Sequence, residues 1–103
     1  MRKMETLLIL SPELTAEERE AILGNLQSVI ERKGGSLLLT DHWGMRDLAY
    51  PIHKQMRGYY ARLEYAAPSD LVEELERIIR ILDGIFKFMT VKLADQTAEN
   101  QEA

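Results

Sequence analysis

Twice along this chain the apolar repeat switches from the two-residue period of a strand to the ~3.6-residue period of a helix, and this alternation is what most constrains the fold. The clearest strand is 58–66, where Tyr59, Ala61, Leu63 and Tyr65 fall on one side and Tyr60, Arg62 and Glu64 on the other. Residues 4–10 place Thr6, Leu8 and Leu10 on one side and Leu7 and Ile9 on the other. Both faces are therefore largely apolar, as in a strand central to its sheet. Ser11-Pro12 ends it, and Thr15 with Glu18 has capping-box spacing ahead of Ile22, Leu26, Val29 and Ile30. The pattern predicts a helix over 13–33 that stops at Gly34-Gly35. Residues 36–42 read as a second strand that continues irregularly into 43–54. Pro68-Ser69-Asp70 opens a second helix, 69–83, with Leu71, Val72, Leu75, Ile78, Ile79 and Leu82 in one stripe. Asp83-Gly84 then turns the chain into a last strand, 85–93.

Strand, helix, strand, strand, helix, strand with right-handed crossovers leads to an α+β, ferredoxin-like two-layer sandwich: four antiparallel strands with both helices on one face. Strands one and three are then central and strand two lies at an edge. Pro51 suits that edge because it lacks the ladder donor, and Gly44 in mid-strand predicts a bulge. A chain of 103 residues is one domain by size. We expect it to occupy residues 1–94, followed by a polar, acidic and mobile tail over 95–103.

Both helices on one side leave the other face of the sheet for solvent or a partner. Tyr60, Arg62 and Glu64 point there, and strand alternation adds Leu7, Ile9, Lys87, Met89 and Val91, with Phe86 and Phe88 turned towards the helices. An apolar patch of Leu7, Ile9, Met89 and Val91 beside Arg62 and Lys87 predicts a docking surface, with Leu7, Ile9, Tyr60, Arg62, Met89 and Val91 as its partner-binding residues.

A formal charge of −4 argues at first against a nucleic-acid partner. The distribution argues for one. The two helical segments hold ten acids and five bases, and the tail adds Asp95, Glu99 and Glu102. What is left is four acids, Glu5, Asp41, Asp47 and Glu64, against eight bases. Arg2 and Lys3 begin the first strand, next to Lys92 at the end of the antiparallel fourth, while Arg46, Lys54 and Arg57 surround the hairpin. If three or four of these cations neutralise phosphates, the salt slope of binding is only about −3 to −4. That is too shallow for tight, specific binding alone and favours RNA binding shared with a second protein.

Enzyme signatures are weak throughout. His42 and His53, the only histidines, are eleven residues apart with no suitably spaced serine or second ligand. Gly34-Gly35 follows a helix, whereas phosphate-cradling glycines precede one. Arg57-Gly58-Tyr59-Tyr60 imitates an RNA-recognition motif, but Tyr59 and Ala61 lie on the apolar side, where they cannot stack on bases. Trp43 and Tyr50 read as packing residues more than stacking platforms. The absence of cysteine excludes disulfides and thiolate metal sites and fits a reducing cytoplasm. No apolar run approaches the ~20 residues of a bilayer span, and Glu5 stands where a signal peptide would be apolar. No cofactor, metal or small-molecule substrate is expected.

The run Trp43-Gly44-Met45-Arg46-Asp47-Leu48-Ala49-Tyr50-Pro51-Ile52-His53-Lys54 resembles the signature of the bacterial sixth small-subunit ribosomal protein family, most specifically in Leu48-Ala49-Tyr50-Pro51-Ile52 followed by Lys54. With Arg2 and the Asp83-Gly84 turn into the strand bearing Lys87 and Met89, the likeness covers about residues 1–93. It implies the same fold and a non-enzymatic, structural role in the cytoplasmic ribosome. It also implies binding to the central domain of small-subunit ribosomal RNA as a heterodimer with the eighteenth small-subunit protein. Arg2, Arg46, Lys54, Lys87 and Lys92 match basic positions of the family; Lys3 and Arg57 join them as RNA candidates from the charge pattern. Met4 stands where several relatives have tyrosine, and Asp47 where a neutral or basic residue is expected. The competing reading from the residues alone is a ferredoxin-like regulatory or ligand-binding module that homodimerises through its open face. An acylphosphatase-type enzyme would need an arginine–asparagine pair around an anion loop, and Asn25 and Asn100 lie on a helix and the tail.

Overall fold

The computed structural model of the protein describes residues 1–95, the last two by backbone alone. The expected tail, apart from Asp95, lies outside the described residues. Six elements follow in order: β1 (Arg2–Leu10), α1 (Ala16–Arg32), β2 (Ser36–Ile52), β3 (Gln55–Ala67), α2 (Leu71–Ile81) and β4 (Ile85–Asp95). The sheet is antiparallel with strand order β2-β3-β1-β4, so β1 and β3 are central and β2, with Pro51, is at an edge.

The periodicities explain the layering. Met4, Leu8 and Leu10 of β1 and Ala61, Leu63 and Tyr65 of β3 are buried against Leu23, Leu26, Val29 and Ile30 of α1 and Leu71, Leu75 and Ile79 of α2. At ~25 cal/mol per Å² of apolar surface, this single core is the main driving force for folding. One polar device sits inside it. Thr6 Oγ1 shares hydrogen bonds with the Tyr65 hydroxyl at 2.8 Å and with Thr90 Oγ1 at 3.1 Å, linking three adjacent strands. Burial raises the Tyr65 phenol above its ordinary pKa, so the hydroxyl stays protonated and bonded.

The helix ends differ. α1 begins with the full capping box: the Thr15 side chain accepts from the Glu18 amide, and Glu18 accepts from the Thr15 amide at 2.8 Å. For α2 the expected Asp70 cap is absent. Asp70 already has helical backbone angles and its side chain makes no capping bond; the Leu71 amide donates instead to the Pro68 carbonyl. Both helices are also shorter than predicted.

β2 and β3 form a hairpin longer than the core they cover. The expected bulge falls between His42 and Gly44, with Gly44 at φ 88°, a conformation that glycine adopts without strain. The hairpin closes through His53 and Lys54, both at positive φ (49° and 64°) between paired Ile52 and Gln55. Two consecutive positive φ values match the right-handed twist of the strands. Beyond the end of β1 the arm curls over the open face and reaches β4. The His53 ring lies 4.9 Å from that of Phe86, and Lys87 Nζ donates to the Tyr50 hydroxyl at 2.6 Å. The close approach requires Gly58, where a Cβ would stand 2.6 Å from Ile9 Cγ2.

Phe86 does not face the helices as expected. The register slips between Ile9, which pairs with Lys87, and Leu10, which pairs with Ile85. Phe86 is the extra residue of this irregularity and turns to the hairpin tip, while Ile85 and Phe88 pack on the core.

Candidate nucleic-acid interface

The open face is built from alternate residues of all four strands. Lys87 and Met89 of β4 stand opposite Ile9 and Leu7 of β1, which stand opposite Tyr60 and Arg62 of β3, which stand opposite Gly44 and Asp41 of β2. Leu7, Ile9, Tyr60, Lys87, Phe88 and Met89 line a groove of about 420 Å³. A smaller hollow of about 170 Å³ continues beneath the curled arm, lined by Leu48, Ala49, Tyr50 and Ile52 along with Ile9, Tyr60 and Lys87.

The seven RNA candidates do not gather into one patch. Arg2, Lys3 and Lys92 lie where β1 starts and β4 ends, with Met4 opposite Lys92. Arg46, Lys54, Arg57 and Lys87 lie at the hairpin end. At ~3.3 Å per residue, the five steps from Lys87 to Lys92 separate the two groups by roughly 17 Å. The two groups are those expected from the sequence, with Lys87 joined to the hairpin group by its bond to Tyr50.

Between the groups the surface is self-neutralised. Arg62 donates to Glu5 Oε1 at 2.8 Å and to Glu64 Oε2 at 2.7 Å, and its Nε is 3.8 Å from Asp41 Oδ2. Lys3 adds a 3.5 Å contact to Glu64. The hydrogen bond from Arg62 holds the Glu64 carboxyl below the usual range, and the same bond raises the guanidinium further. Three carboxylates around Arg62 and Lys3 leave this centre slightly negative, a poor place for phosphate. The apolar residues Leu7, Ile9, Met89 and Val91 occupy the same middle zone.

The hairpin cations are held in different ways. Arg57 pairs with Asp47 at 3.4 Å, both well exposed, so the pair is weak. Lys87 donates to Tyr50, with its ammonium 5.3 Å from that ring's centre. Lys54 stands at the turn. Arg46 lies over two aromatic rings, 5.0 Å from the centre of Trp43 and 6.0 Å from that of Tyr60. The expectation that Trp43 is a packing residue therefore needs correcting. It is 37% exposed and stacks on Tyr60 at 6.4 Å, with the planes 7° apart. The bulge at residue 43 puts it on the open side, where its indole N–H donates to Asp41 at 3.0 Å. Tyr50 is also surface-exposed. The sequence reading missed the Trp43–Tyr60–Arg46 stack. The signal available to it was the glycine bulge, which alters which residues share a face.

His42 Nδ1 lies 2.9 Å from the Tyr59 hydroxyl, and Arg19 sits 4.1 Å over that ring, so His42 is engaged in structure on the helix side. Among the described residues no three histidine, aspartate or glutamate side chains group as a metal site. No described helix is long and apolar enough to cross a membrane.

Comparison with known proteins agrees with this architecture. Residues 3–92 match the family model described as ribosomal protein S6. The chain is 70% identical over 99 residues to small ribosomal subunit protein bS6 of Nitratidesulfovibrio vulgaris, covering 96% of this chain and 98% of that one. It is 59% identical to the bS6 protein of Lawsonia intracellularis, covering 98% and 95%. Among solved structures, the crystal structure of 30S ribosomal protein S6 from Thermotoga maritima superposes with a TM-score of 0.86 at 27% identity, covering 98% of this chain and 94% of that one. A sheet with one helix-covered face and one open face, the Leu48–Ile52 motif on its curled arm and a family match over nearly the whole fold lead to one conclusion: the chain belongs to the bacterial ribosomal protein S6 family, structural constituents of the ribosome and not enzymes.

Proposed function

We propose that this protein, within the cytoplasmic ribosome, binds the central domain of small-subunit ribosomal RNA as a heterodimer with the eighteenth small-subunit protein. One observation supports the reading: cations stand at both ends of the sheet, Arg2 and Lys92 at the rim of its helix-covered side and Arg46 and Lys87 on its open side, with an apolar and already neutralised zone between. Phosphate is attracted to Arg2 and Lys92 at one end, where Lys3 is already engaged by Glu64, and to Arg46, Lys54, Arg57 and Lys87 at the other. It is repelled by the carboxylates around Arg62. Leu7, Ile9, Tyr60, Met89 and Val91 offer a protein partner the apolar contact, with Arg62 as a fixed polar neighbour. A partner seated there adds its own cations to the two ends and bridges the gap between them. RNA affinity then depends on the heterodimer, because either cationic end alone supplies too few phosphate contacts.

Filter binding of central-domain RNA with and without the eighteenth protein tests this. Affinity should rise when the partner is present; equal affinity in both conditions would sink the cooperative mechanism. Lys87→Ala combined with Arg2→Ala should weaken binding and make the salt slope shallower by about 2. An unchanged slope removes both residues from the contact surface.

A further inference from the structure

Arg46 differs from the other hairpin cations in how it is held. Stacking on ring faces uses the flat surface of the guanidinium and leaves its N–H edge pointing outwards. Among the described residues no carboxylate lies within salt-bridge distance of Arg46, and its side chain donates no hydrogen bond. All five donors of a planar fork are therefore unspent. Trp43 is in turn fixed at two points, by its face on Tyr60 and by its N–H on Asp41. Asp41 is tied to Arg62, whose fork is anchored by Glu5 and Glu64. The chain of contacts runs from the rigid centre of the sheet to a single exposed guanidinium.

We infer that Trp43 and Tyr60 are positioning residues that hold Arg46 in advance for a bidentate contact with an RNA phosphate. Arg57, by contrast, must give up Asp47 before it makes the same contact. The inference rests on the RNA-binding reading above and specifies which arginine docks ready-made. It also gives Tyr60, assigned from sequence to the protein partner, a second role, with one part of its ring committed to the stack.

Trp43 is the only tryptophan, so its fluorescence reports this stack directly. The test is a double-mutant cycle measured on the heterodimer with central-domain RNA at fixed salt. Arg46→Ala should weaken binding and make the salt slope shallower by about 1. Trp43→Leu should weaken binding roughly two- to fivefold, the worth of an exposed cation–π contact, while the slope stays unchanged. Trp43→Phe keeps a ring face and should recover most of the loss. In the Arg46→Ala background Trp43→Leu should have almost no further effect, because its action passes through Arg46. Emission from Trp43 should change when RNA is added to the wild-type heterodimer and stay constant with Arg46→Ala. Losses that add in the double variant, or an Arg46→Lys variant binding as tightly as wild type, overturn the positioning role while leaving the RNA reading intact. A wild-type heterodimer that fails to bind the RNA removes both. Matching thermal unfolding of the variants confirms that the differences arise at the surface.

Discussion

Residues one step apart on β1 meet opposite surroundings. Thr6, Leu8 and Leu10 point into the core, with the Thr6 hydroxyl bonded to Tyr65 and Thr90. Glu5, Leu7 and Ile9 point to the open face, where a charged network and an apolar groove lie next to each other. On the covered side, packing and hydrogen bonds fix strand register. On the open side, charges cancel in the middle, and Arg46 and Lys87 stand at the hairpin end. One strand therefore supplies the core from its even positions and the open face from its odd ones.

Deleting core volume should separate the two faces most sharply. Leu26→Ala is expected to cost about 3 kcal/mol, against under about 1 kcal/mol for Met89→Ala on the open face, both by urea denaturation. Equal losses would mean that the open face is a second core. Thr6→Val should cost about 1–2 kcal/mol, since it removes the hydroxyl that links Tyr65 to Thr90; a neutral result would remove the polar link from any role in register. Gly58→Ala should cost about 1–2 kcal/mol by driving a methyl into Ile9 and lifting the arm, and it should also break the Lys87–Tyr50 hydrogen bond, read by the Tyr50 ring resonances in NMR.

The smallest effect tests the charged centre. The folded-state pKa of Glu64 is depressed, so the unfolded chain binds the extra proton first. This contribution is complete above the ordinary carboxylate value of about 4.3 and is lost as pH falls through the folded pKa. Arg62→Met should therefore lower stability at neutral pH, where the contribution is complete, and flatten the acid limb below about pH 4.3, where wild type has already lost it. An acid limb identical to wild type would show that Glu64 gains nothing from Arg62 in the folded state.

The fold was legible in the sequence because the same residues state it twice. Tyr59, Ala61, Leu63 and Tyr65 alternate for a strand and also form the floor of the core. Leu71, Leu75 and Ile79 repeat at helical spacing and cover that floor. Thr15 and Glu18 made the predicted capping box because both partners are local. Asp70 did not cap its helix, since its backbone had already turned helical. What escaped notice depends on irregularities in register. A slipped pair at Ile9 and Leu10 sends Phe86 to the hairpin and not the core. The bulge before Gly44 brings Trp43 over Tyr60, and the curl of the arm carries Tyr50 to Lys87. Alternation assumes a ladder without bulges, so each inserted residue breaks the inference at the place where the site is built. The two cation groups were legible from strand direction, but the approach of Lys87 to the hairpin arm through Tyr50 was not.

The turn at His53 and Lys54 keeps side chains at a cost in backbone strain. Asparagine followed by glycine would adopt the two left-handed conformations with less strain. Such a tip would be sturdier and chemically mute, with no imidazole to lean on Phe86 and no ammonium at the outermost point of the arm. By keeping side chains where the backbone would prefer none, the protein turns its tightest bend into a fingertip.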